Sequence, residues 1–235
     1  MKKKIILVIP VYNEEKILEN SIKKLYFYMN KNIKEKWKII IANNASIDKT
    51  KEIANKLSQK LHFVEAIHLK KKGRGNALKY VWSHYKADVY SYCDVDLATP
   101  IFHLKELFKN ILNGNNIVIG SRYLNNSNSK RTIKRLILSK GYIYLIKLFF
   151  KTRLSDFQCG FKAIDKKVVN KILPEINNKE WFFDTELLIL AEQSHRYKIK
   201  EIPINWTENK DTKVKILKTV FNYINNLIKI KNRIN

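Results

Sequence analysis

Tyr92-Cys-Asp-Val-Asp-Leu-Ala-Thr-Pro100 is the stretch on which the reading of this chain turns. It follows Ala87–Ser91, a short apolar and β-prone run that predicts a buried strand. Asp94 and Asp96 therefore fall where that strand runs out. Two carboxylates one residue apart at a strand end repel each other and lose solvation, so something must compensate them. A divalent cation does this well: Mg²⁺ or Mn²⁺ takes hard oxygen ligands and fills its other positions with phosphate and water. Taken alone, the pair also reads as a solvated acidic loop, and the surrounding chain has to decide.

Working outward, strand, loop and helix alternate four times in about the first 110 residues. Ile5–Val11 is apolar on both faces, as in a central parallel strand covered by helices. It leads into Pro10-Val-Tyr-Asn-Glu-Glu15 and a helix with Ile17, Leu18, Ile22, Leu25 and Met29 on one face. Trp37–Ala42 is a second strand and runs into Asn43-Asn-Ala-Ser-Ile-Asp-Lys-Thr50, where Ser46 or Asp48 can cap the next helix. His62–Leu69 leads to Lys70-Lys-Lys-Gly-Arg-Gly-Asn-Ala-Leu78 and a third helix. A fourth helix is expected to begin near Pro100. This order argues a doubly wound α/β sheet, mostly parallel and flanked by helices. Ligands of such sheets bind beyond the carboxyl ends of the strands, so Tyr12, Asn13, Glu14, Asn44, Arg74, Asp94 and Asp96 should share one crevice. Gly73, Gly75, Gly120 and Gly160 lie in polar loop motifs, which fits close approach of backbone to a ligand and equally fits ordinary turns. Lys72-Gly-Arg-Gly75 suits a phosphate contact but is not a Walker loop, lacking the Gly-Lys-Ser/Thr ending.

After Ile117 and Gly120-Ser-Arg-Tyr123 the character changes. From Lys130 to Lys151 there are seven Lys/Arg and no acid, in a segment otherwise nearly apolar all round. From Lys213 to Arg233 there are six Lys/Arg and no acid, with Val214, Leu217, Val220, Phe221, Ile224, Leu227 and Ile228 on one helical face. Basic amphipathic segments of this kind suit an anionic membrane surface, and their apolar faces can equally complete a core. For 133–150 the membrane or lipid-tail contact is the preferred reading. Ser155–Ala163 and Trp181–Leu188 mix polar groups with aromatics, as pocket walls do; Asp184 and Glu186 also suit a helix N-terminus. Lys198–Trp206 reads as one more strand.

The chain of 235 residues carries 46 Lys/Arg against 21 Asp/Glu, a net charge of +25 that implies an anionic partner. Cys93 and Cys159 make no disulfide framework and read as buried packing in a reduced, cytoplasmic protein. The first apolar run is too short for a signal peptide. No apolar stretch is long enough for a transmembrane helix.

The ordered motifs resemble inverting family 2 glycosyltransferases, specifically the polyprenyl-phosphate sugar synthases, and most of all the dolichyl-phosphate glucosyl branch. They are Ile9-Pro-Val-Tyr-Asn-Glu-Glu, Asn43-Asn-Ala-Ser-x-Asp-x-Thr, Lys72-Gly-Arg-Gly-x-Ala, Asp94-Val-Asp-Leu-Ala-Thr-Pro, Gly120-Ser-Arg, Asp156-Phe-Gln-Cys-Gly-Phe-Lys and Phe183-Asp-x-Glu-Leu-Leu. The resemblance implies a GT-A fold spanning residues 1–235 as a single domain. Its nucleotide-sugar half would be about 1–125 and its acceptor half about 126–235, with amphipathic helices over 133–151 and 213–233. It implies a donor site of Pro10, Tyr12, Glu14, Asn44, Gly73 and Arg74, with UDP-glucose the favoured donor, and Mg²⁺ or Mn²⁺ on Asp94 and Asp96. Arg122, Arg135, Ser139 and Lys213 would meet the phosphate of a polyprenyl or dolichyl acceptor. Asp156, Gln158, Asp184 and Glu186 would wall the sugar and acceptor pocket, and Asp94, Asp96 and Arg122 would carry the chemistry. The expected setting is the cytoplasmic face of a membrane, held peripherally, with or without a membrane-protein partner.

Two departures stand out: the family's Asp-Asp-Gly-Ser is Asn43-Asn-Ala-Ser here, and a Gln that ligates metal in some relatives is Ala98. A hydroxyl-acceptor transferase would need a carboxylate base, for which Asp184 is the candidate. A nucleic-acid-binding protein fits the charge but lacks any helix-turn-helix, zinc or RNP signature. A sugar-1-phosphate nucleotidyltransferase would need a Gly-rich opening after the first strand, which is missing.

Overall fold

A computed structural model of the chain describes residues 2–208 and 216–234, with side chains of the final helix described from residue 222 onward. β1 (Lys4–Val11), β2 (Lys36–Asn44), β3 (Val64–Leu69) and β4 (Val89–Cys93) pair in parallel in the order β3-β2-β1-β4. Between them run α1 (Leu18–Asn32), α2 (Thr50–Lys60) and α3 (Arg74–His84). The all-apolar reading of the first strand is met: Ile5 through Ile9 are fully buried because helices cover both faces of the sheet. Asp48 Oδ1 accepts from the Thr50 amide at the start of α2, whereas Ser46 Oγ accepts from the Asn13 amide instead.

Some boundaries differ. β4 runs two residues past Ser91, so Tyr92 and Cys93 belong to the strand and Asp94 follows directly. α4 (His103–Leu112) begins three residues after Pro100, whose carbonyl accepts from the His103 amide in the turn before it.

Beyond α4, β5 (Ile117–Ser121) does not join β4. β7 (Phe161–Asp165) lies between them, antiparallel to both, and β8 (Ile199–Pro203) pairs in parallel with β5 at the far edge. The seven-stranded order is β3-β2-β1-β4-β7-β5-β8. β7 went unrecognised in sequence because Phe161-Lys-Ala-Ile reads as a pocket wall around a lysine. Lys162 is fully buried, its ammonium donating to the Cys159 carbonyl and pairing with Asp184. Lys198–Trp206 is two strands. β8 stays in the main sheet, and β9 (Asn205–Thr207) crosses to pair with β6 (Asn128–Lys130) in a separate ribbon.

α5 (Ile133–Phe150) and α8 (Ile216–Ile234) pack against each other and differ in what they bury. Tyr223, Leu227 and Ile230 of α8 sit in the core with Phe182 and Leu187, so this helix completes the hydrophobic interior. α5 buries only Ile146 and Phe150 fully and leaves Ile133, Ile137, Leu138, Tyr144 and Leu148 exposed. α6 (Lys166–Lys171) and α7 (Phe183–Gln193) complete the covering. Among the described residues no helix is long and apolar enough to cross a membrane.

Candidate active site

The loops after β1, β2 and β4 and the start of α3 meet at the carboxyl edge of the sheet. They are stitched together by their own side chains. The Asn13 amide donates to Ser46 Oγ at 3.0 Å, the Glu14 amide to Thr50 Oγ1 at 2.8 Å, and the Ile47 amide to Asn13 Oδ1 at 2.9 Å. Asn13, Ala45 and Leu97 adopt left-handed backbone (φ 54, 59 and 52) where β1, β2 and β4 give way to loops. Left-handed backbone in residues other than glycine is a cost that functional loops often carry. Pro10 pairs opposite Ala42, one residue before the parallel pairing ends at Val11 and Asn43, and Lys72 lies 3.6 Å over the ring of Tyr12.

Asn44, expected in the donor site, is engaged by protein backbone. It is buried, and its Oδ1 accepts the Gly73 amide at 2.9 Å, so it pins the Lys72–Gly75 turn to the end of β2. An amide oxygen against a buried backbone N–H is better placed there than in solvent. The glycines likewise make room for neighbouring protein atoms. A Cβ on Gly73 would strike the Lys179 carbonyl, one on Gly75 the ring of Phe183, and one on Gly160 the Asp94 carboxylate itself.

Asp94 is half-exposed at the end of β4, while Asp96 is exposed and accepts from the Ala98 amide. Loss of solvation where protein packs around the strand end, together with Asp96 and Asp184, raises the Asp94 carboxyl above its usual value despite the opposing charge of Arg74. Arg74 Nη2 donates to Asp94 Oδ1 at 2.9 Å, and Nη1 lies 3.9 Å from Asp184 Oδ2. Its guanidinium is flanked by the rings of Tyr92 and Trp181. Burial opposes this charge, yet Asp94, then Tyr92 and Asp184, hold the guanidinium above its ordinary pKa. Among the described residues no third His, Cys, Asp or Glu joins Asp94 and Asp96 in a metal-holding group. Two hard carboxylates with one side open fit a cation that keeps water and substrate oxygens, as Mg²⁺ and Mn²⁺ do. They do not fit a closed structural zinc centre.

Beside Asp94 opens a cavity of about 710 Å³. Arg74, Arg122, Arg131 and Arg135 line it, and among the described residues Asp94 is its one carboxylate. Its apolar wall comes from α5 through Ile137, Leu138 and Leu145, and its aromatic wall from Trp181, Trp206, Tyr142 and Tyr223. Burial pushes the Tyr142 hydroxyl well above its ordinary pKa and that of Tyr223 up to about 12, so both stay neutral. Arg122, on the loop after β5, grips Asp156 through Nε at 2.7 Å and Nη2 at 2.9 Å, and its backbone amide donates to the same carboxylate. Burial raises the Asp156 carboxyl, but the charge and hydrogen bonds of Arg122 outweigh it and leave it below the usual value. Arg135 pairs with Glu208 at 2.8 Å, and Ser139 takes a hydrogen bond from the Tyr123 hydroxyl while donating to the Arg135 carbonyl.

The structure thus brings Arg74, Asp94, Arg122, Arg135, Ser139 and Gln158 around one space. Three other expected pocket residues, Asp156, Asp184 and Glu186, do not line it. Asp156 is buried beneath Arg122. Glu186 is buried with its carboxylate taken by the Asn177 and Asn178 amides and by Arg233. Asp184 is buried, accepting from the Tyr92 hydroxyl and paired with Lys162 at 3.2 Å. Lys213 lies outside the described residues. Trp181 opens the stretch read in sequence as a pocket wall and does line the cavity, whereas Arg131 and Trp206 were not singled out as site residues.

Residues 6–173 match the family described as Glycosyl transferase family 2. A dolichyl-phosphate β-glucosyltransferase of Trichomonas vaginalis, ALG5A, is 33% identical, with 89% of this chain and 68% of that protein aligned. Glycosyltransferase AglD of Haloferax volcanii is 30% identical over 91% of this chain but only 35% of its own length. The chain therefore spans about a third of one relative and about two thirds of others. Glucosyl-3-phosphoglycerate synthase of Mycobacterium tuberculosis, solved with Mn²⁺, UDP-glucose and phosphoglyceric acid, superposes with a TM-score of 0.73 at 14% identity, covering 97% of this chain and 79% of that one. The sheet order, the family match and this likeness agree on a GT-A fold. The chain belongs to glycosyltransferase family 2.

Proposed function

We propose that the protein transfers a hexose, with glucose from UDP-glucose favoured, to a polyprenyl or dolichyl phosphate, with inversion at the anomeric carbon. The observation that carries this reading is the cavity beside Asp94, where arginines and an apolar helix wall line one space. That combination suits an acceptor with an anionic head and a hydrocarbon body. The relatives named for dolichyl phosphate and the neighbour solved with UDP-glucose support the same choice.

In this reading a phosphate oxygen of the acceptor attacks the anomeric carbon as the bond from that carbon to the nucleoside diphosphate breaks. UDP leaves with the bonding electron pair. No proton has to be removed, since a phosphate monoester with a second pKa of about 6 is largely ionised at neutral pH. Asp94 and Asp96 would hold the divalent cation, which when bound offsets charge gathering on the leaving diphosphate. Arg74 fixes the Asp94 carboxylate and brings a second positive charge to the same side. The exposed side chains of α5, with Lys134, Lys140 and Lys147 among them, would rest on an anionic membrane surface, each basic residue there contributing about 1 kcal/mol.

A hydroxyl acceptor would need a free carboxylate base. Asp184, the candidate, is buried and held by Tyr92 and Lys162, which counts against that alternative.

Release of UDP from UDP-glucose with Mn²⁺, with and without a short polyprenyl phosphate, tests the reading. Lipid-dependent release that Asp96→Ala abolishes is expected. Release that ignores the lipid would overturn the acceptor assignment. No release from UDP-glucose in the presence of both would overturn the donor.

A further inference from the structure

Strand β7 carries a lysine inside its buried run Phe161-Lys-Ala-Ile164. Lys162 is fully buried, and the strand register sets it opposite Tyr92, two residues before Asp94. Its ammonium donates to the Cys159 carbonyl and lies 3.4 Å from the Tyr92 hydroxyl and 3.2 Å from Asp184 Oδ1. The Tyr92 hydroxyl donates to that same Asp184 oxygen. The other oxygen, Oδ2, lies 3.9 Å from Arg74 Nη1, within reach of its charge but beyond a hydrogen bond.

Arg74 therefore stands between two carboxylates and is hydrogen-bonded to one. Nη2 donates to Asp94 Oδ1 at 2.9 Å, while Nε is buried with no hydrogen-bond partner among the described residues. A guanidinium held so lightly goes where the uncompensated charge draws it. Asp184 is the deeper acid, its side chain 2% exposed against 44% for Asp94, so without a counter-ion it would draw Arg74 the more strongly. Lys162 supplies that counter-ion.

We propose that Lys162 is a positioning residue for the reaction: it satisfies the charge of Asp184 and so leaves Arg74 to Asp94. Lys162 does not line the cavity and acts through two other side chains. The four charges form an alternating row, Lys162, Asp184, Arg74 and Asp94, and removing the first cation shifts the pairing along it. The direct route is minor, since Arg74 acts on the Asp94 carboxyl more strongly than Lys162 does.

The part Asp94 plays in cation and donor binding rests on the reading above; the place of Arg74 does not. The full chain and its variants are crystallised without ligand, titrated with Mn²⁺ by electron paramagnetic resonance, and assayed for UDP release. In Lys162→Met, Arg74 is expected to leave Asp94 and hydrogen-bond Asp184. Mn²⁺ should then bind about threefold to tenfold tighter, because Asp94 no longer shares its charge with a guanidinium. Turnover should nonetheless fall about tenfold to a hundredfold, as loss of one preorganised charge does. A merely loosened fold gives slower turnover without the tighter metal. In an Arg74→Gln background, Lys162→Met should cost less than about threefold further in kcat, since the two act in series. The neutral pair Lys162→Met with Asp184→Asn removes counter-ion and competitor together, and serves if Lys162→Met alone folds poorly. There Arg74 should stay on Asp94, with Mn²⁺ affinity within about twofold of wild type. Arg74 still on Asp94 in Lys162→Met, Arg74 displaced in the neutral pair, or losses in kcat that multiply in full overturns the proposal. Arg74 moving as stated in a protein that neither binds Mn²⁺ nor releases UDP would keep the charge row and remove the catalytic reading. Wild-type turnover with Arg74 displaced would keep that reading and remove the role of Lys162.

Discussion

The two sides of β4 are built from different interactions. Toward β1 and β2 the loops are tied by side-chain-to-backbone hydrogen bonds, most of them through the neutral groups of Asn13, Asn44, Ser46 and Thr50 and the rest through the carboxylates of Glu15 and Asp48. Toward β5 the cavity is framed by ion pairs: Arg122 with Asp156, Arg135 with Glu208, Lys162 with Asp184. Hydrogen-bonded loops hold their shape over a wide range of pH. A frame of buried charges is strong only while both members of each pair stay ionised. The β1–β2 side should therefore fail residue by residue and the β5 side all at once.

The largest expected effect is on the charged side. Asp156→Asn leaves Arg122 buried without its partner and should cost about 3–5 kcal/mol in chemical denaturation. Because the Asp156 carboxyl is held below its unfolded value, its contribution is fully present above about pH 4 and lost as pH falls through the lowered folded value. Wild type should accordingly lose more stability than Asp156→Asn between about pH 4 and pH 2, and parallel curves would break the contrast.

Next comes a pair within that side. Leu227→Ala in α8 opens a fully buried position and should cost about 2–5 kcal/mol. Leu148→Ala in α5, at a position 66% exposed, should stay within about 0.5 kcal/mol while weakening binding to anionic vesicles. Comparable losses of stability would mean that α5 is covered as fully as α8.

On the hydrogen-bonded side the effects shrink. Asn44→Ala strands the buried Gly73 amide and should cost about 1–3 kcal/mol in thermal or denaturant melts, with little change down to mild acid. Smallest is a gain. Ala45 has φ 59, where a Cβ is unwelcome, so Ala45→Gly should stabilise the chain by about 1 kcal/mol. No change in melting temperature would mean that the loop relaxes around Ala45 without strain.

The parallel half was legible because strand and helix periods alternate cleanly and each strand ends in a polar motif. What escaped sequence reasoning was set by distant partners. Lys162 sits in an apolar run and gives no sign of being a strand residue, since its counterion Asp184 is 22 positions away. Asp156 and Glu186 looked like pocket acids because composition cannot tell a carboxylate facing a cavity from one facing an arginine behind it. The two basic helices carried nearly the same pattern. Only their placement separated the one whose face enters the core from the one whose face does not.

The antiparallel strand β7 sets one further condition. Just ahead of it, the Gly160 carbonyl accepts from the Asp94 amide, and the space where a side chain at 160 would stand is filled by the Asp94 carboxylate. Position 160 has no functional group to offer, yet it selects the rotamer of the residue on which the site turns. In a saturation scan it should tolerate as little as Asp94 itself, and its variants should fold while losing activity, so that a screen for lost function would register a residue made of backbone alone.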